Sequence, residues 1–403
     1  MFTRTVTPTL ISLAMAFPVV TITGPRQSGK TTLCRATFPD KPYINLEQPD
    51  TRRFALEDPR GFLATIPDGA ILDEIQRAPD LLSYIQVIVD EKQAAGQFIV
   101  TGSQQFEVMN TINQSLAGRT ALLKLLPLSM EELMLADVPL SSNQLILNGF
   151  YPRIYNQKLN PTRVLGDYFE TYVERDIRQL VAIKNLGLFE KFVRLCAGRV
   201  GQILNLQSLG NDVGISHSTA REWMTLLEAS YVVFQLHPWH SNISKRLIKS
   251  PKLYFFDVGL ASYLLGLETE LHVARDPLRG NLFENMAIVE ALKYNYNRGK
   301  KGNLCFYRDS NGNEVDLLLH VGPDRFPIEI KSGETIVPDF FKGLSAFAKI
   351  APSPAQGAGL VYGGSEQQNR SQAQVWPITR MHEMLDGIYR ADTVSGETPA
   401  CVS

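Results

Sequence analysis

Three observations predict an α/β protein built on a parallel sheet, with further α/β units after it. An apolar strand at 18–23 (PVVTIT) runs straight into Gly24-Pro25-Arg26-Gln27-Ser28-Gly29-Lys30-Thr31 and on into a helix. Short apolar strands ending in polar or acidic groups recur between helical stretches up to residue 125, the spacing that produces a parallel sheet with its ligand at the strands' C-terminal ends. Near the other end, two strands flank Gly322-Pro323 and carry carboxylates and a lysine at positions that share a face. The 403 residues exceed one ordinary core and fit two or three domains. Apolar residues at 44% and charged ones at 20% exclude disordered and fibrous classes. With 40 basic and 41 acidic residues the net charge is −1, so a nucleic-acid contact must come from a local patch. Cys34, Cys196, Cys305 and Cys401 lie far apart with no C-x-x-C pair, the pattern of a reduced, cytoplasmic protein. No apolar run reaches the ~20 residues of a membrane span. The run 10–20 reads as a short helix and then a strand, because it passes into the glycine-rich loop without a small-residue cleavage site.

The loop at 24–31 has the G-x4-G-K-T spacing of a phosphate-binding loop, and so predicts a P-loop NTPase sheet. Gly24 and Gly29 let the backbone curl so that the amides of Pro25's successors, Arg26, Gln27 and Ser28, face inward, while the helix carrying Thr32 adds its positive N-terminus. Lys30 is placed to reach the β- and γ-phosphates and the Thr31 hydroxyl to bind Mg²⁺. After a strand at 43–46 and a charged helix through Arg52, Arg53 and Glu57, the strand 70–74 (AILDE) closes on two acids. There Asp73 is the expected Mg²⁺ residue and Glu74 the base that polarises the attacking water. The strand 98–104 ends in Ser103 and Gln104, candidates to sense the γ-phosphate, and 121–125 is a further strand.

These segments, GPRQSGKTT, ILDEIQ, FIVTGSQ and SLAGR (115–119) followed by LLPLSMEEL, resemble a large prokaryotic group of AAA-type ATPases. In that group a P-loop domain is joined to a C-terminal domain of unknown function, and the resemblance covers nearly the whole chain. It implies ATP rather than GTP, and Lys30, Thr31, Asp73 and Glu74 as the site. It also raises Arg119 as a charge-stabilising arginine, within one subunit or offered to a neighbour; a structural ion pair is the alternative. A second copy of the chain becomes a partner if Arg119 or Arg153 completes a neighbour's site.

Asn148-Gly149-Phe150-Tyr151-Pro152-Arg153 interrupts the pattern and marks an expected boundary near 150. The family's usual Gly-Gly-Phe-Pro is altered here at Asn148 and Tyr151. A long amphipathic helix is expected at 162–180, whose YVERDI is similar to a family signature. Two helices around Gly214-Ile215-Ser216, with Ser216 as N-cap, and strands at 231–236 and 252–256 outline a winged helix. His217, Thr219, Arg221 and Thr225 would face a DNA groove, with Lys245, Arg246 and Lys249 on the phosphates. A plain connector between domains fits the same outline.

From Gly280 a helix presents Leu282, Met286, Val289 and Leu292 on its apolar side and Glu284 on another. Strands at 305–308, 314–319 and 327–331 come next. A hairpin centred on Gly322-Pro323 sets Asp316 opposite Glu329, about 5 Å apart at Cβ and suited to share Mg²⁺. Alternation adds Lys331 to that face. This constellation is that of the restriction-endonuclease-like nucleases, written PD…(D/E)xK, here without the proline. Asp316 and Glu329 would be the metal residues, Lys331 would orient water, and Glu284 would assist. A strand at 360–362, a helix at 380–388 and a disordered tail after Arg390 complete the chain. The expected domains are thus 1–150 (ATPase), 151–270 (helical and winged-helix-like), 271–390 (restriction-endonuclease-like) and the tail 391–403. Two functions are compatible with this organisation: an Mg²⁺-dependent ATPase coupled to a nuclease-like domain acting on DNA, or a nucleotide-switched binding or signalling protein whose last domain recognises a partner without chemistry.

Overall fold

The computed structural model describes residues 2–102, 116–138, 141–173, 185–239, 250–322, 324–351 and 357–395. In its first part five strands, β1 (Val19–Thr23), β2 (Tyr43–Asn45), β3 (Ile71–Asp73), β4 (Phe98–Gly102) and β5 (Thr120–Lys124), form a parallel sheet in the order β2-β3-β4-β1-β5. Successive side chains of a strand face opposite ways, and the apolar residues divide accordingly. Val20, Ile22, Ile71 and Ile99 pack with Leu10 and Leu33 of the helices Thr7–Ala16 and Lys30–Thr37. Val19, Leu72, Phe98 and Val100 pack on the other side with Leu82 and Ile85 of the helix Leu81–Lys92. Both faces are covered, which is why these strands read as unbroken apolar runs.

The cores divide the chain earlier than the interruption near 150 suggested. From Leu128 onward, apolar side chains join a second large core that continues to Ile388. The helices Met130–Met134 and Ser142–Asn148 therefore pack with the later helices and strands rather than with the first sheet. The helix Arg279–Asn297 is buried nearly all round and belongs to that same core, while Cys305, Val315, Leu318, Phe347, Leu360 and Val375 of the last part form a smaller core of their own. Between 161 and 173 the expected long helix is α-helical only over Pro161–Tyr168 and then widens into a π-helical turn, Phe169–Val173; residues 174–184 lie outside the described residues.

The middle of the chain holds the helices Leu186–Ala197, Leu206–Val213 and His217–Ala229, then an antiparallel pair, β6 (Val233–Leu236) and β7 (Lys252–Phe255). The Ser216 hydroxyl accepts from the Thr219 amide and caps the third helix. Lys245, Arg246 and Lys249 lie outside the described residues. The last part is a sheet in the order β12-β13-β11-β10-β9-β8, comprising β8 (Leu304–Arg308), β9 (Glu314–Val321), β10 (Asp324–Lys331), β11 (Gly359–Tyr362), β12 (Gln368–Asn369) and β13 (Gln374–Pro377). The β9–β10 ladder runs from Val321↔Asp324 to Leu317↔Ile328, the register the Gly322-Pro323 turn implied. The strands β12 and β13 were not foreseen; they are short and lack a long apolar run. The final helix, Met381–Ser395, runs past Arg390, where a tail was expected. Among the described residues, no helix is long and apolar enough to cross a membrane.

Candidate functional site

The loop after β1 owes its shape to its two glycines. Gly24 has φ +149°, and a Cβ there would lie 2.1 Å from the Leu125 carbonyl oxygen, so the loop can leave the sheet beside β5 only without a side chain. Gly29, at φ +94°, turns the chain into the helix that begins at Lys30. Lys30 is buried, its Nζ donating to the carbonyls of Gly24 (2.9 Å) and Pro25 (2.8 Å). Burial pulls its ammonium down to about 8, against the charges of Glu74 and Asp73. The Ser28 hydroxyl is buried in the loop and has no hydrogen-bond partner among the described residues, a donor suited to a phosphate oxygen. Arg26 lies 3.9 Å from Glu47, which Arg77 also approaches at 3.7 Å. Gln27 takes a left-handed φ of 60°.

Strand order brings the acids to this loop. Asp73 ends β3 and is buried. Its Oδ2 accepts from the Thr31 hydroxyl at 2.8 Å and from the Tyr43 hydroxyl at 2.8 Å, and its Oδ1 accepts from the Thr101 hydroxyl. Burial and then the bond to Asp73 push the Tyr43 phenol well up, so it remains a donor. A hydroxyl and a carboxylate in contact, at the mouth of a loop with an unpaired donor, fit Mg²⁺ carried by a polyphosphate. Glu74 follows at φ 58°; its amide donates to Thr101 Oγ1 at 3.4 Å and its carboxylate accepts from Gln76. β4 lies between β1 and β3; Ser103 and Gln104, which follow it in sequence, lie outside the described residues. Beside Gly29 and Thr32 opens a cavity of about 290 Å³ lined also by Phe2, Leu33, Ala36 and Leu128.

Arg119 forms the structural ion pair that is the alternative to a charge-stabilising role. It precedes Thr120, which pairs with Val19 at the start of β1, whereas the loop leaves the far end of β1. A five-residue strand spans roughly 16 Å, so Arg119 sits at the wrong end of the sheet to reach phosphates in its own subunit. There its guanidinium pairs with Asp90, Nε to Oδ1 at 2.5 Å and Nη2 to Oδ2 at 2.8 Å. Arg153 is exposed and donates to Gln157 at 3.3 Å.

A second cluster lies in the last sheet. The ladder that ends at Leu317↔Ile328 brings Asp316 and Glu329 next, and both are buried. Lys331 Nζ lies 3.0 Å from Asp316 Oδ2 and 3.4 Å from Glu329 Oε2, and the Ile330 amide donates to Asp316 at 2.8 Å. Glu284 enters from its helix, accepting from Lys252 Nζ at 2.8 Å and from the Tyr254 hydroxyl, while Lys252 also pairs with Glu314. Glu284, Glu314 and Asp316 each offer an oxygen within 4.8 Å of the others; Glu329 stands outside this trio. Burial, then the charge of Asp316, pushes Glu284 up to about 7 and Glu329 up to about 9. Asp316, which burial alone would raise, is held low by Lys331. The surroundings thus favour the ionised form of Asp316 and the protonated form of Glu329. Three carboxylates suit a divalent cation, but Lys252 already lies among them, so a cation there requires its ammonium to move.

Sequence reading missed Tyr43, Thr101, Glu314, Lys252 and Tyr254. Glu314 could have been found, since it stands two residues before Asp316 on one strand face. The others come from distant segments.

Residues 16–134 match a family described as an AAA domain, 140–271 a domain of unknown function (DUF8612) and 279–381 a domain of unknown function (DUF4143). Uncharacterized protein Rv2008c of Mycobacterium tuberculosis and uncharacterized protein Mb2031c of Mycobacterium bovis are each 30% identical over 323 residues, 79% of this chain and 71% of the relative. Among solved structures, the Walker-type ATPase PABY2304 of Pyrococcus abyssi is 16% identical, with a TM-score of 0.44, over 66% of this chain and 96% of that one. A DNA replication initiation factor is 14% identical, with a TM-score of 0.27, over 53% and 69%.

Proposed function

The chain belongs to the family of these two mycobacterial proteins and carries an AAA-type P-loop ATPase domain, and from that premise we propose that it hydrolyses ATP with Mg²⁺. One observation carries the reading: Thr31 and Asp73 touch at 2.8 Å directly beside Lys30 and Glu74, at the mouth of the glycine-shaped loop. Lys30 would exchange its two loop carbonyls for β- and γ-phosphate oxygens. Thr31 and Asp73 would hold Mg²⁺, which supplies charge neutralisation between the phosphates. Glu74 would take the proton of the attacking water, its backbone fixed by Thr101. The cavity beside Thr32, with the apolar walls of Leu33, Ala36 and Leu128, would take the adenine. ATP turnover by the full chain with Mg²⁺, with and without DNA and beside Glu74→Gln, tests this. Turnover lost in the variant supports the site; equal turnover in both overturns it.

A second reading concerns the C-terminal part. The contact of Lys331 with both Asp316 and Glu329 favours a restriction-endonuclease-like site that cuts DNA. A winged-helix-like middle, with Arg221 and Thr225 exposed on the capped helix, would hold the duplex. Nicking of supercoiled plasmid in Mn²⁺, abolished by Lys331→Ala, supports this reading. Cutting that persists in Lys331→Ala overturns this site, and no cutting with DNA-independent ATP turnover favours the nucleotide-switched binding protein instead.

A further inference from the structure

Two buried polar groups from outside the sheet hold the phosphate loop at its ends. At the entry, the Tyr231 hydroxyl donates to Thr23 Oγ1 at 3.0 Å, and both residues are buried. Tyr231 sits at φ 55° between the helix His217–Ala229 and β6, and packs with Leu126, Phe256 and Leu292. At the exit, the Arg4 guanidinium donates to the Ser28 carbonyl at 2.7 Å, to the Leu126 carbonyl at 2.8 Å and to Glu132 Oε2 at 3.0 Å. In a planar trans peptide the C=O and the following N–H point in opposite directions. By drawing the Ser28 carbonyl outward, Arg4 therefore aims the Gly29 amide into the loop, where a phosphate oxygen accepts.

Both holds lead to one helix. Glu132, fully buried, also accepts from the Ser129 amide at 3.0 Å. The neighbouring Met130 amide donates to Glu290 Oε2 at 2.7 Å, and Glu290 pairs with Lys293, whose Nζ also donates to the Leu128 carbonyl at 2.7 Å. Glu290 and Lys293 belong to the helix Arg279–Asn297. From the other end, Tyr231 leads through β6 to its partner β7, where Lys252 and Tyr254 bind Glu284 of the same helix.

We infer that Arg4 and Tyr231 are positioning residues of the phosphate loop, and that through them nucleotide occupancy is linked to the helix Arg279–Asn297. The inference rests on the ATPase reading. Each hold orders the loop before the nucleotide arrives, which raises affinity by lowering the ordering cost. By reciprocity, bound nucleotide then steadies both holds and the helix behind them.

The test uses the full chain and ADP with Mg²⁺. Isothermal titration should show ADP bound about tenfold more weakly by Arg4→Met and about threefold more weakly by Tyr231→Phe, the range of one or two lost buried hydrogen bonds. Arg4→Lys should restore little, because a single ammonium cannot serve three acceptors set for a planar fork. ADP should slow amide hydrogen exchange along 279–297 in the wild type, and this slowing should vanish in Arg4→Met; a merely structural residue would alter exchange without ADP as well. Tyr231→Phe, which removes one oxygen, keeps the test alive if Arg4→Met does not fold. Affinities within twofold of wild type in Tyr231→Phe and in every folded Arg4 variant, or no ADP-dependent slowing in the wild type, overturn the inference while leaving the ATPase reading in place. Failure of the wild type itself to bind ADP overturns both.

Discussion

Lys293→Met probes the joint where the ATPase part meets the second core. Lys293 is 1% exposed; its Nζ donates to Leu128 O and to Glu290 Oε1, each at 2.7 Å, and lies 3.6 Å from the Phe150 ring centroid. Methionine fills a similar volume but satisfies none of these groups, and among the described residues it leaves the buried Glu290 carboxylate with only the Met130 amide as donor. Breaking a buried pair from one side costs about 3–5 kcal/mol, so roughly 4 kcal/mol is expected at pH 7. Adding Glu290→Gln removes the stranded charge while keeping an acceptor for Met130, and should recover about 2 kcal/mol. The pH dependence gives an independent check. Burial already pushes the Glu290 carboxyl up from 4.5, with Lys293 pulling it back; without the lysine, only the Met130 amide is left to oppose burial and the Glu132 charge. The folded single variant then binds a proton that the unfolded chain releases. The contribution of this carboxyl to stability is therefore fully present below about 4.5 and is lost as pH rises through the raised folded value. Urea unfolding of wild type, single and double variants at pH 5 and pH 8 measures this. A single-variant loss below about 1 kcal/mol, a double variant no more stable than the single, or a wild-type advantage larger at pH 5 than at pH 8 would refute the reasoning.

Four further outcomes concern the ATP site. Gly24→Ala should abolish ADP binding in calorimetry and lower stability in thermal melts by roughly 2 kcal/mol, because its Cβ would meet Leu125 O at 2.1 Å. Glu74→Gln should still bind ATP in equilibrium titration while turnover falls ~10²-fold or more. The kcat/KM for ATP should fall as pH rises above about 8, where free Lys30 loses its proton and its attraction for phosphate; a profile flat to pH 10 contradicts the assignment. Arg119→Ala should leave turnover within about twofold at every protein concentration, since its guanidinium serves Asp90; a loss that deepens as subunits associate would place it in a neighbour's site instead.

Some of the candidate sites could be read from contiguous residues. The phosphate loop needs only neighbouring glycines, a lysine and a threonine between a strand and a helix. The β9–β10 register needs only the turn at Gly322 and alternation along each strand. Other contacts could not be read, because each joins segments whose separation carries no local signal. Tyr43 and Thr101 meet Asp73 only because β2 and β4 flank β3. Arg119 looked available to phosphates until the parallel pairing of β5 with β1 set it at the opposite end.

The sequence by itself determined the local shapes, since turn chemistry and apolar period act within a few residues: the loop, the strand that ends in Asp73, and the hairpin that brings Asp316 and Glu329 together. The tertiary structure alone decided how the parts share cores and charges. Leu128 and its successors leave the first sheet for the second core, and Arg4 reaches Ser28. Lys252 from the middle hairpin lies among the acids of the last sheet. Each of these contacts arises from burial, which obliges every charge and amide withdrawn from water to find a partner wherever the folded chain supplies one, however far away in sequence.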